Sequence, residues 1–190
     1  MGNLFVVSGP SAVGKTSVVN AIMEKNHSIQ RIVTCTSRER RKTEKDGIDY
    51  YFLEKKGFLA RIEAGEFIEF SEVYGDYYGV TLSTIKESIR KDGEFVLTID
   101  WQGFLKIKSA IKEKVWGIFI LPPSLNALEI RIKARGEDSP ESIAIRIEKA
   151  KEEIAQSKHY DFCFENSEID STAENILKTI TSIKRKNAIL

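Results

Sequence analysis

The chain has 190 residues, enough for one domain with a substantial core and small inserted subdomains. Hydrophobic residues at 42% and charged residues at 30% exclude wholesale disorder. A formal net charge of +1 excludes a global field for nucleic acid or an anionic membrane, so any anion site must be local.

Taken in chain order, "NLFVVSG" reads as a buried strand and about 15–25 as a helix whose apolar side is Val18, Val19, Ile22 and Met23. Between them, Gly9-x-x-x-x-Gly14-Lys15-Thr16 is a Walker A loop. Its glycines let backbone N–H groups point inward as an anion nest, and the helix adds its positive dipole end. Gly9, Pro10, Ser11, Ala12, Val13 and Gly14 form that nest. Lys15 reaches the β- and γ-phosphates, and the Thr16 hydroxyl is placed to ligand Mg²⁺. The loop argues for a bound nucleoside triphosphate and says little about the reaction.

Next comes "VTCTSRERRKTEKDGIDYYF", with Arg38, Arg40, Arg41 and Lys42 in five positions and two tyrosines after them. A solvated face or a nucleic-acid patch would also produce a basic run. The balanced charge and the lack of wider basic stripes favour a clamp for one phosphate monoester, since arginine forks bind phosphate oxygens bidentately. "IDYYFL", "EFIEFSEVYG" and "YYGV", with a helix near 55–64, predict a small antiparallel insertion over about 34–81.

"EFVLTID" and "VWGIFIL" are apolar runs suited to parallel strands covered on both faces, and "DFCFEN" is a further strand. "KARGEDSPESIAIR" joins two helices through a charged turn. The second of these starts at Ser139-Pro140 and buries Ile143, Ile147, Ala150 and Ile154. "TAENILKTITSIKRK" closes as an amphipathic helix. Alternation of strands and helices predicts an open α/β sheet with right-handed crossovers. Cys35 and Cys163 form no CxxC pair, which disfavours a zinc site or disulfides. No N-terminal signal pattern is present, and no apolar run reaches the roughly 20 residues of a membrane span. A soluble cytoplasmic protein is expected.

The motifs in this order, "SGPSAVGKT", "TSRERR", "DGIDYYF", "GEFIEF", "YGDYYG", "IDWQG", "ARGEDS" and "YDFCFEN", resemble those of the guanylate kinases over essentially the whole chain. That resemblance implies a three-layer α/β/α P-loop kinase with a five-stranded parallel core sheet over about 1–33, 82–125 and 147–190. It also implies a mixed or antiparallel GMP-binding insertion over about 34–81 and a short helical lid over about 126–146. The implied reaction is ATP + GMP = ADP + GDP, with dGMP as a second acceptor, Mg²⁺ as cofactor and no nucleic-acid or membrane partner. By resemblance, Arg38, Arg41, Tyr50 and Tyr78 grip the GMP phosphate. Glu69, Asp100 and Thr34 face the base. Arg135 and Arg146 swing over the transferring group with Arg131 near the same edge, and Asn166 meets adenine. A turn-forming asparagine is an equal reading of Asn166.

Guanine presents two adjacent donors, N1–H and the N2 amino group, and an acceptor-only carboxylate takes both. An AMP in the same place would leave Glu69 buried and unmatched. Asp100 ends an apolar strand at the carboxyl edge, where ligands of open α/β sheets gather. It could meet the guanine or hold water on Mg²⁺, and the sequence does not separate the two.

Several positions depart from the family pattern. Ala12 stands where glycine is common, which is tolerable at negative φ. Thr34 replaces serine, Thr36-Ser37 replaces a threonine pair, and Arg40 and Thr43 replace proline and glycine. Val80 lacks the hydroxyl that usually follows "YYG", with Thr81 as the potential substitute. Two other readings compete with the active kinase: a non-catalytic scaffold module, disfavoured because Lys15, Thr16, Arg38 and Arg41 are all present, and a kinase for another acceptor such as a sugar phosphate.

Overall fold

Residues Asn3–Ser8 (β1) are buried without exception, as a central strand covered on both faces requires. In the computed structural model, which describes residues 2–73, 75–111, 113–134 and 139–187, β1 is followed by α1 (Lys15–Lys25) and β2 (Ile29–Arg31). The chain continues through β3 (Cys35–Thr36), β4 (Tyr51–Phe52), α2 (Lys55–Glu63), β5 (Phe67–Val73), β6 (Asp76–Thr81) and α3 (Leu82–Arg90). It ends with β7 (Glu94–Thr98), α4 (Trp101–Ala110), β8 (Val115–Leu121), α5 (Leu125–Lys133), α6 (Pro140–Ala155), β9 (Phe162–Glu165) and α7 (Ile169–Asn187).

Five strands form one parallel sheet in the order β2-β7-β1-β8-β9. Along β1 the side chains alternate between two cores. Phe5 and Val7 join Val18, Ile22, Ile118, Ile176 and Ile180 on one face. Leu4 and Val6 join Ile85, Leu97, Phe104 and Ile107 on the other. The three-layer α/β/α fold expected from the sequence is therefore present. One of its strands, the edge strand β2, was not anticipated because three residues with a single buried member carry no periodic signal.

The remaining four strands form a separate sheet, β4-β3-β6-β5. It is mixed: β3 runs parallel to β4 and antiparallel to β6. The parallel pair arises because the 37–50 loop carries the chain back to start β4 beside β3. At the lid side, Ser139 Oγ accepts the Ser142 N–H at 3.3 Å and Pro140 is the first helical residue, as predicted. Ile143 and Ala150 of α6 are buried, whereas Ile147 and Ile154 are only half-buried, so the stripe is shallower than expected.

Candidate functional site

The donor loop connects β1 to α1. Gly9 has φ 151 and lies so close to β8 that a Cβ would sit 2.4 Å from the Ile120 carbonyl oxygen. Lys15 Nζ donates to the carbonyls of Gly9 at 2.6 Å and Pro10 at 3.0 Å. The ammonium is thus held by the loop that it would leave for a phosphate. Ala12 has φ 63, so the condition under which alanine was expected to be harmless is not met. An L-residue in the left-handed region costs about 1–2 kcal/mol. Ala12→Gly should therefore raise stability by about 0.5–1 kcal/mol after the added chain entropy of glycine, read as a higher urea midpoint at unchanged slope.

Asn166, which the resemblance sets at the adenine and which reads equally as a turn residue, has its side chain engaged by the fold. It is buried, with Nδ2 donating to the Val13 carbonyl at 2.8 Å and Oδ1 accepting from the Thr172 hydroxyl at 3.1 Å. Its backbone N–H reaches the Leu121 carbonyl at 2.8 Å, and its own carbonyl accepts from Arg131 at 2.9 Å. Arg131 also donates to the Val13 carbonyl at 3.2 Å. Both residues brace the loop from behind, and every polar atom of Asn166 is engaged.

The clamp residues converge. Arg38, Arg41, Tyr50 and Tyr78 line one cavity of about 390 Å³ that also includes Thr16 of the donor loop. Arg38 lies over the rings of Tyr50 and Phe52, 5.8 and 5.9 Å from their centroids. Its guanidinium meets Glu44 at 2.6 Å, and that bond raises the arginine pKa while lowering that of the acid. Glu44 also accepts the Arg41 backbone N–H at 2.9 Å, so one carboxylate fixes the loop that carries both clamp arginines. Its position three residues after Arg41 was the available sequence cue, too weak alone to separate it from any loop acid.

A second cavity of about 110 Å³ adjoins the first and shares Thr34, Tyr50, Tyr78 and Thr98 with it. Glu69 and Asp100 both line it, as the base-recognition reading requires. Glu69 is 4% exposed; burial first, then the charge of Asp100, pushes its pKa up to about 7 against the opposing pull of Lys106. Gly103 makes room for it, since a Cβ there would lie 2.6 Å from Glu69 Cγ. Asp100 begins α4, its Oδ1 accepting the Gly103 N–H at 2.8 Å. Asp100 and Glu69 are the acidic residues that line the small cavity. Val80 is buried in the core, and the anticipated replacement by Thr81 is overturned. Thr81 Oγ1 caps α3, accepting the Thr84 N–H at 3.1 Å. Ser71, two residues from Glu69 on β5, joins Thr34, Thr98 and the two tyrosines as a hydroxyl-bearing residue lining this cavity.

Arg146 lines a third cavity, about 300 Å³, with Ser11 of the donor loop, Glu72 of the insertion and Lys149 and Glu153 of α6. The donor loop, the insertion and α6 thus meet around it. Arg135 lies outside the described residues. A larger space of about 920 Å³ along α5 and α6 includes none of the loop or clamp residues.

A Walker loop on a five-stranded parallel sheet, facing an arginine-lined cavity and a small acidic pocket, defines a P-loop phosphotransferase with a phosphorylated acceptor. Residues 1–183 match the guanylate kinase family model, and the chain belongs to that family. It is 37% identical over 184 residues to the guanylate kinase of Hahella chejuensis, covering 97% of this chain and 88% of that one. To the guanylate kinase of Streptococcus agalactiae serotype III it is 42% identical over 180 residues, 94% of this chain and 86% of the relative. The crystal structure of guanylate kinase from Anaplasma phagocytophilum superposes with a TM-score of 0.76 at 34% identity, covering 95% of this chain and 85% of that one.

Proposed function

We propose that the protein phosphorylates GMP to GDP at the expense of ATP, with dGMP as a second acceptor. The observation that carries this reading is the shared cavity: Thr16 of the donor loop faces the same space as Arg38, Arg41, Tyr50 and Tyr78, and the Glu69 pocket opens beside it. A mononucleotide whose base enters the small pocket presents its phosphate to the arginines and, past them, to the donor loop.

Each residue then has a role set by its chemistry. Gly9, Pro10, Ser11, Ala12, Val13 and Gly14 cradle the triphosphate through backbone N–H groups, and Lys15 follows the β- and γ-phosphates. Arg38 and Arg41 neutralise the acceptor phosphate, with the hydroxyls of Tyr50 and Tyr78 completing its shell. Thr34, Glu69 and Asp100 read the base, Glu69 accepting from guanine N1–H and N2. Arg146, and Arg135 outside the described residues, supply positive charge to the transferring group. Asn166 holds the Val13 carbonyl of the donor loop in place, beside the adenine position that the resemblance implies.

Mg²⁺ fits the donor loop, because the exposed Thr16 hydroxyl offers one protein oxygen to an ion whose other ligands would be largely phosphates and water. When bound, it neutralises charge across the β- and γ-phosphates. The insertion at about 34–81 and the lid at about 126–146 close over the core, excluding water that would otherwise hydrolyse the donor. No helix among the described residues is long and apolar enough to cross a membrane, in keeping with a cytoplasmic enzyme of purine nucleotide recycling.

A coupled ADP-release assay tests the reading with GMP, dGMP, AMP, a sugar phosphate and no acceptor. GMP and dGMP should drive release, and AMP should be poorer by at least about 10². Turnover with AMP in preference to GMP would overturn the base assignment, and silence with every acceptor would favour a scaffold module.

A further inference from the structure

Arg31 ends the edge strand β2, alone among residues with no motif around it, and no sequence signal marks it. The fold nevertheless brings it into the acceptor cavity, whose lining also includes Thr16 of the donor loop and the clamp residues Arg38 and Arg41. One of its terminal nitrogens donates to the Asn20 side chain at 2.5 Å, one helical turn beyond Thr16. Its Nε is buried and has no hydrogen-bond partner among the described residues. A buried guanidinium N–H without an acceptor is costly, and a ligand oxygen is the natural remedy.

The charge of the cavity points the same way. Its lining holds three guanidiniums, Arg31, Arg38 and Arg41, against two carboxylates, Glu44 and Asp49. Glu44 is already paired with Arg38, and Asp49 accepts the Lys45 N–H at 2.7 Å. Without Arg31 the lining would be balanced, a poor host for a phosphate monoester carrying roughly −1.5 to −2 charges. With it, the cavity lining is net positive. Burial lowers the arginine pKa, partly countered by Tyr50 and Asp49, which is the response of a cation short of anionic company.

We propose that Arg31 is a third substrate-binding arginine of the acceptor site, its Nε–H taking an oxygen of the GMP 5′-phosphate while Asn20 holds the far end of the guanidinium. This rests on the assignment of GMP as acceptor. It also implies that GMP relies less on Arg41, which is solvent-exposed here, than a two-arginine clamp would.

Calorimetric titration of GMP and of guanosine into the parent, Arg31→Met and Arg31→Lys proteins, with KM for GMP and ATP measured alongside, tests the proposal. Arg31→Met should weaken GMP about tenfold, and raise its KM in parallel, while guanosine affinity and the KM for ATP stay within twofold. Arg31→Lys should recover part of the loss, having the charge without the fork. GMP affinity within twofold of the parent in both variants overturns the proposal. So does an equal loss for guanosine, which would reduce Arg31 to a brace between β2 and α1. A parent protein that binds no GMP at all removes the acceptor assignment, and this inference with it.

Discussion

Lys15→Met should lower kcat for GMP phosphorylation by about 10²–10³ while leaving GMP affinity within twofold. Methionine keeps the length and flexibility of the lysine stem and deletes only the ammonium. That ammonium touches the Gly9 and Pro10 carbonyls in the free protein, at 2.6 and 3.0 Å, and no part of the acceptor cavity includes it. What is lost is positive charge aimed at the phosphoryl group in flight, where one well-placed donor is worth a few kcal/mol. The fold should survive, since two half-buried hydrogen bonds of about 1 kcal/mol each shift the melting temperature of a chain this size by only a few degrees. Single-turnover kinetics and GMP titration on the same preparation check both halves. Near-parental turnover would mean that Arg146 and its neighbours neutralise the donor without the Walker lysine.

The elements with strong local signals were legible in the sequence, and those created by tertiary placement were not. β1 and β8 are apolar runs flanked by turn residues, and the predicted helix over 15–25 matches α1 residue for residue. β2 escaped because its place in the sheet depends on pairing with β7, a partner more than 60 residues away along the chain. The insertion was recognised from its aromatic content, yet its parallel β3–β4 pair could not be, because nothing in either two-residue strand encodes direction. Likewise, Ala12 reads as a benign replacement until its φ is known.

Within the site, residues marked by chemical type and motif were legible: Thr16 and the clamp arginines line one cavity and Glu69 and Asp100 the pocket beside it, while Lys15 rests on the Gly9 and Pro10 carbonyls. The protein partners of Asn166 and Thr81 were not legible in the sequence, for one shared reason. Each has a short polar side chain that local backbone groups can claim, Val13 in one case and Thr84 in the other, and such claims are invisible without coordinates. Glu44 and Arg31 show the converse. They look like surface charges in the sequence and become functional only because folding sets one against Arg38 and the other against the cavity wall.

The remaining large effect belongs to Glu69. Guanosine, which has no phosphate to titrate, should bind about tenfold more tightly at pH 8 than at pH 6, following ionisation of a carboxyl whose pKa is about 7 in the free protein. The neutral acid turns an O–H toward a base edge that itself only donates there, whereas the carboxylate accepts from both guanine N–H groups. Glu69→Gln should flatten this pH profile and lower kcat/KM for GMP roughly hundredfold, because the amide leaves one donor facing another donor. Stability should move the opposite way. A folded-state pKa raised to about 7, above an unfolded value near 4.3, means that the stability Glu69 contributes is full below pH 4 and is lost as the pH rises through 7. The glutamine variant has no such titration, so its stability relative to the parent should improve by about 3 kcal/mol across that window, measurable by urea unfolding at pH 4.5 and pH 8. A residue that weakens the empty protein at neutral pH and is relieved by its ligand is the mark of a site shaped for recognition, since GMP provides the donors that the fold withholds. Guanosine affinity independent of pH from 6 to 8, with a Glu69→Gln protein as active as its parent, would show that the base is read elsewhere, with Asp100, Ser71 and Thr34 among the remaining polar residues of the pocket.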